Sequence, residues 1–322
     1  MGGIAVNIYS GQVEPFKDLL LNRIDAVFVD LPIAAYYTMP NPQLHMVGDP
    51  VGEGYYGIAL RKEDASLADE LNKIIEKLLR SGELKKIYSR WGLWNVAQEK
   101  LFLHEGILKN YAESPPSSSE KAPIVLTKFL PTLLKGALVT IGISILSMML
   151  AVVLGLILTF MRLYGNTWLR MVSTAYIEIY RGTPLLIQLY ILYYGLPSIG
   201  ITLSAFVVAI LGLGMNYAAY EAEIYRAGIQ AIPKGQTEAA LSLGMSGRLT
   251  LKRIILPQAL RITIPPMTND FIALFKDSSL ISVIAITELT KSYGILAAAS
   301  MDYFKLGIIT ALLYFGMSYP LS

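Results

Sequence analysis

The sequence has 322 residues, of which 54% are hydrophobic and only 16% are charged. Soluble domains carry about 25% charged residues, so the composition predicts a membrane protein. The net charge of +3 is too small to indicate nucleic acid as a partner. There is no cysteine, which excludes disulfides and thiol chemistry, and two histidines alone cannot form a transition-metal site. We therefore expect no metal and no cofactor to be bound by this chain.

Residues 1–105 have the pattern of a soluble α/β domain. Residues 24–30 are rich in β-branched and aromatic side chains, which predicts a strand. Apolar residues recur at helical spacing over 67–79, Gly82 is a stop signal, and a second helix is expected over 84–91.

Residues 128–322 are predicted to cross a membrane five times, after a proline- and serine-rich linker over 106–127. The uncharged run 136–161 would extend ~39 Å as a helix, which exceeds a bilayer core of ~30 Å. The uncharged run 182–220 is too long for one span, and the turn-forming residues at 195–200 divide it. The predicted spans are about 129–161, 170–194, 202–220, 264–288 and 304–321.

The basic residues predict the orientation of these spans. Arg162 and Arg170 lie between the first two spans, and the segment 223–261 carries six basic residues against two acidic ones. We expect these segments on the cytoplasmic side of a bacterial cell membrane. Five spans then place residues 1–115 outside the cell and the C-terminus inside.

The loop at about 223–262 carries a compact helical pattern. Good helix formers run from Thr237 to Leu243, and Gly244 is a natural helix C-cap because glycine accepts a positive φ. A second helix is expected from Ser246 and should end before Pro257. Such a helix–glycine–helix elbow is either a rigid knob for a partner protein or an amphipathic hairpin on the membrane surface.

Glu238, Ala239 and Ala240, with Gly244 following and Pro257 at the end, resemble the coupling loop of bacterial ABC importer permeases. The flanking stretches 235–236, 257–259, 181–185, 219–224 and 276–280 are similar to the polar amino-acid branch of that family. The resemblance covers about residues 128–322 and implies a type I permease core. It also implies a second permease subunit, equal or different, and a pair of ATPase subunits that receive the elbow. No Walker-type phosphate loop occurs in the sequence, so ATP and magnesium are expected in that separate ATPase.

Residues 9–94 resemble the C-terminal part of periplasmic amino-acid binding proteins, on the stretches 21–30, 55–62 and 82–93. In that family the last aspartate of the Asp-Ala-x-x-x-Asp pattern binds the substrate's α-ammonium group, and Asp30 matches it. The alternative is that Asp30 only caps a turn. The earlier half of such a domain is absent, and two lobes must close on a ligand. We therefore expect a longer natural chain and weak amino-acid binding by this part alone.

Polar side chains within predicted spans are costly and are usually functional. Asn216 and Glu221 lie at the end of the third span, and we predict that both bind substrate. Glu221 would then favour a cationic amino acid, although it could instead reach the membrane interface. Glu178 and Arg181 could pair on one helical face.

Two other classes of protein join such lobes to membrane spans: amino-acid-gated channels and sensors. Neither explains the elbow at Glu238. An enzyme is not expected, since no nucleophile and base pair or phosphate loop appears.

Overall fold

A computed structural model describes residues 4–9, 11–48, 50–52, 56–95, 98–99 and 126–321 of the chain. The chain divides into two units, one formed by residues 11–120 and the other by residues 1–10 and 121–322. The predicted linker at 106–127 lies almost wholly outside the described residues.

Among its described residues, the first unit has the helices α1 (Glu14–Leu20), α2 (Leu31–Thr38), α3 (Ala65–Arg80) and α4 (Glu83–Arg90). The helices predicted over 67–79 and 84–91 correspond to α3 and α4. They are separated by Gly82, whose φ of 74° is left-handed, as its role as a stop signal requires. The Phe16 ring stacks on Tyr37 at 4.7 Å, and Asp18 pairs with Arg23 at 3.0 Å.

The strand predicted over 24–30 is wrong for the structure. Residues 26–30 have no regular secondary structure, and no strand occurs in the part of the chain that the structure describes. The reason is that a strand needs hydrogen bonds from a neighbouring strand, and β-branched composition cannot supply that neighbour.

The second unit is helical. Its long helices are α5 (Leu126–Tyr164), α6 (Thr167–Gly182), α8 (Ala205–Gln230), α11 (Leu256–Asp277) and α13 (Tyr303–Ser318). Shorter helices lie between them: α7 (Leu185–Tyr190), α9 (Lys234–Ser242), α10 (Gly247–Thr250) and α12 (Leu289–Ser300). π and 3₁₀ turns over 191–199 continue α7, and 3₁₀ turns over 278–284 follow α11.

Three helices are long and apolar enough to cross a membrane, within the described ranges: Phe129–Tyr164, Ala205–Gln230 and Tyr303–Leu321. They match the first, third and fifth predicted spans. The span predicted over 170–194 is wrong as a single helix, because the chain breaks at Thr183 and Pro184 between α6 and α7. The span predicted over 264–288 likewise lies partly in α11 and partly in the 3₁₀ turns. The count of five crossings therefore stays a prediction.

The helices α5 and α8 pack closely against each other. A Cβ atom added to Gly155 on α5 would lie 2.8 Å from Cβ of Glu221 and 3.2 Å from the Ala218 carbonyl oxygen, so only glycine fits there. The Thr159 hydroxyl donates to the Gly155 and Ala222 carbonyls at 2.8 and 3.0 Å. Arg162 pairs with Glu223 at the end of this contact. Small residues and interhelical hydrogen bonds of this kind hold membrane helices together.

Candidate functional site

The helical elbow predicted in the basic loop is present. Helix α9 ends at Ser242, and Gly244 follows with a φ of 79°. The Gly244 N–H donates to the Leu241 carbonyl at 2.9 Å and the Met245 N–H to the Ala240 carbonyl at 3.1 Å. This pair of bonds is a Schellman motif, which fixes the exit direction of the chain.

The outer surface of the elbow is exposed. Glu238, Ala239 and Leu243 face outward, with Leu243 83% exposed, whereas Ala240 is buried. The Gln258 amide nitrogen lies 3.4 Å from the Gln236 amide oxygen and links the two arms. The elbow is therefore a fixed knob that presents an acidic and an apolar side chain.

The second arm of the elbow does not end before Pro257, contrary to the prediction. A π turn over 251–255 joins α10 to α11, and the Leu256 N–H donates to the Leu251 carbonyl five residues back. Proline normally clashes with the carbonyl four residues earlier. The wider π turn accommodates Pro257, so the elbow continues directly into α11.

A cavity of about 600 Å³ opens where α6 ends, between α8 and α11. Its lining includes one guanidinium, Arg181, and two carboxylates, Asp270 and Asp277. The Tyr217 hydroxyl donates to Asp277 Oδ2 at 2.8 Å. Oδ2 of Asp270 is buried and has no hydrogen-bond partner among the described residues. An unsatisfied buried carboxylate oxygen is costly, and a bound cation or ammonium would satisfy it.

Arg181 does not pair with Glu178 in the described structure. Its guanidinium carbon lies 5.6 Å from the centre of the Tyr220 ring, an arrangement that holds the positive charge beside the cavity.

The predicted substrate residues fall in three different places. Asn216 lines the cavity. Glu221 is fully buried where α8 meets Gly155 of α5, and it is absent from the cavity lining. Asp30 lies in the first unit, exposed at the N-cap of α2, where its carbonyl accepts the Ile33 and Ala34 N–H groups at 3.0 Å.

The sequence predictions missed Arg181, Tyr217, Asp270 and Asp277 as cavity residues. One signal was available, since Asp270 and Asp277 are charges inside the predicted span over 264–288. Sequence alone could not show that α6 and α8 bring a guanidinium and a phenol to the same place.

Long apolar helices with a cavity between them define the chain as a helical membrane protein. The family described as binding-protein-dependent transport system inner membrane component matches residues 151–319. This match covers more than half of the chain, and the chain belongs to this family.

Individual relatives agree with this assignment. The probable amino-acid ABC transporter permease protein YckA of Bacillus subtilis is 42% identical over 187 residues, which cover 58% of this chain and 83% of the relative. The L-cystine transport system permease protein TcyB of the same organism is 42% identical over 179 residues, 56% of this chain and 76% of the relative. A solved amino acid ABC transporter with histidines has a TM-score of 0.58 and 37% identity, covering 61% of this chain and 92% of that chain.

Proposed function

We propose that this chain is the permease subunit of an ATP-driven amino-acid importer in a bacterial inner membrane. The observation that carries the proposal is the exposed, rigid elbow at Gly244 in a chain of this transport family. A fixed knob transmits force from a partner, whereas a flexible loop does not. Amino-acid permeases among the relatives support the substrate class.

In this proposal the elbow docks on an ATPase dimer. The residues that form its surface or hold its shape are Glu238, Ala239, Ala240, Gly244 and Pro257. ATP and magnesium bind to that ATPase, and a second permease subunit, identical or different, completes the translocation path. The elbow and the C-terminus lie in the cytoplasm, and the first unit lies outside. This chain itself carries no catalytic residue.

The cavity supports a cationic amino acid as substrate. Asp270 and Asp277 offer two negative charges against the single positive charge of Arg181. Arg181 suits the substrate carboxylate, one aspartate suits the α-ammonium group, and the second suits a charged side chain. Asn216 contributes to the same lining. Glu221 lies outside that lining, so any effect it has on cation selection would be indirect.

The first unit is proposed to be part of an amino-acid binding domain with an α/β fold, in which Asp30 contacts the substrate ammonium once the other lobe is present. The single lobe should bind amino acids weakly. Calorimetry on the full chain would contradict this expected weak binding if it measured a micromolar affinity for an amino acid and if Asp30→Ala changed that affinity.

The test of the proposed function is uptake into liposomes that contain this chain and the ATPase encoded beside it. We expect ATP-dependent accumulation of radiolabelled arginine, lysine or histidine, and weaker accumulation of glutamate. Passive flux of amino acids without ATP would instead indicate a channel.

A further inference from the structure

The break between α6 and α7 has lost part of its helical hydrogen bonding. In a continuous helix the N–H of residue 184 would donate to the Tyr180 carbonyl four residues back. Pro184 has no N–H, and Thr183 has an extended backbone with φ of −122° and ψ of 143°. The last carbonyls of α6 therefore need donors from elsewhere.

Two buried amides supply those donors. The Gln188 Nε2 atom lies 3.0 Å from the Tyr180 carbonyl, 3.1 Å from the Thr183 carbonyl and 2.8 Å from the Thr183 hydroxyl. The Asn216 Nδ2 atom donates to the Tyr180 carbonyl at 3.3 Å and to Gln188 Oε1 at 3.0 Å. Side chains from α7 and α8 thus replace the donor that proline removes.

This arrangement fixes the shape of one cavity wall. Residues 181–185 line the cavity, whereas Gln188 lies behind them and is absent from the lining. Gln188 is also 9% exposed, so substituting it changes little of the surface. Tyr180 is half-buried, so without the amides its carbonyl would lose both of these donors in a place only partly open to solvent, and the break would have to rearrange.

We infer that Gln188, with Asn216, is a positioning residue for substrate. The two side-chain amides keep the break between α6 and α7 in its observed conformation, so that Arg181 and residues 182–184 keep the geometry that the substrate meets. This inference rests on the proposed function, because it concerns the same cavity. It assigns a role in substrate affinity to a side chain that is absent from the cavity lining.

The test compares uptake kinetics of Gln188→Met with those of the unchanged chain and of Thr159→Val. Methionine matches the length of glutamine but donates no hydrogen bond. Loss of the amide should raise KM for the amino acid about tenfold with little change in the maximal rate, given the usual strength of such bonds. Thr159→Val removes a buried interhelical hydrogen bond away from the cavity, so it should lower the thermal midpoint and leave KM unchanged.

Each outcome has a definite meaning. If the unchanged chain shows no ATP-dependent uptake, the proposed function fails; if it transports and Gln188→Met keeps its KM, the inference fails. A lower thermal midpoint in both variants with KM unchanged would make Gln188 merely structural and would also overturn it. Should Gln188→Met not fold, Thr183→Val removes the hydroxyl that accepts from Gln188 and donates to the Ile179 carbonyl, and an unchanged KM there would equally contradict the inference.

A double substitution adds an independent check. Gln188 and Asn216 bond to each other and share the Tyr180 carbonyl, so Gln188→Met and Asn216→Leu should raise KM by less together than the product of their separate effects. Multiplicative effects would contradict the inference that the two amides act together on the break.

Discussion

At the scale of single residues, the proposed function of the elbow depends on the backbone conformation of Gly244. Its φ of 79° lies in the left-handed region, and the space around a Cβ there is empty. Any penalty for a larger residue is therefore conformational and not steric. A non-glycine residue in such a region costs of order 1–3 kcal/mol, and a β-branched one is strongly disfavoured.

We expect Gly244→Val to reorient the second arm of the elbow and to uncouple ATP hydrolysis from uptake, measured as amino acid transported per ATP consumed. Gly235→Ala is the matched control, since Gly235 lies within α9, also has open space around it and has no positive φ. Alanine should be tolerated there or should slightly favour the helix. Equal loss of coupling in both variants would contradict the conformational explanation.

The carboxylates of the cavity allow a second residue-scale prediction. Asp270→Asn should weaken uptake of cationic amino acids by about 10-fold or more relative to neutral ones, because a charge-assisted hydrogen bond becomes a neutral one. The measurement is competition between arginine and glutamine for uptake. Glu221→Gln is the comparison. If Glu221→Gln selectively lost arginine uptake and Asp270→Asn did not, the result would favour Glu221, the residue predicted from sequence, over Asp270 as the group that selects cations.

At the scale of helices, the close contact of α5 with α8 depends on Gly155. An alanine there would bring its Cβ within 2.8 Å of the Glu221 Cβ and 3.2 Å of the Ala218 carbonyl oxygen, so the helices would have to separate. The pair also carries the Thr159 and Arg162 contacts, so any separation would weaken those bonds too.

We expect Gly155→Ala to destabilise the protein by about 1–3 kcal/mol, as overpacking usually does. The check is the thermal midpoint in detergent. Gly142→Ala lies on the same helix with no neighbour within 4 Å of its Cβ, so it should leave the midpoint unchanged or raise it slightly. A midpoint for Gly155→Ala equal to that of Gly142→Ala would show that the contact is not close.

Sequence predicted the features that depend on local geometry. The left-handed Gly244 and the helices α3 and α4 follow from chemistry within a few residues. The lack of a strand over 24–30 and the presence of the cavity could not be predicted in this way. A strand requires a pairing partner, and the cavity requires α6, α8 and α11 to converge. The helix through Pro257 depended on a π turn that no sequence rule indicated.

At the scale of the whole molecule, one helix, α11, joins the elbow to the cavity. The elbow continues from its π turn into α11, which contains Pro265 and Pro266, and α11 carries Asp270 and Asp277 into the cavity lining. Movement of the elbow would therefore be transmitted along one helix to the groups that are proposed to hold substrate. This continuity favours coupling by displacement of α11.

The central claim is that an ATPase drives this chain through the elbow, and the most direct test is substrate-stimulated ATP hydrolysis by the assembled complex in liposomes. The exposed Leu243 at the elbow allows a surface variant, Leu243→Asp, that should leave the fold intact and weaken docking. We expect the ATPase to co-purify with the unchanged chain, hydrolysis to rise when a cationic amino acid is supplied, and both to be lost in Leu243→Asp. Undiminished co-purification and stimulation in Leu243→Asp and Gly244→Val would contradict the claim.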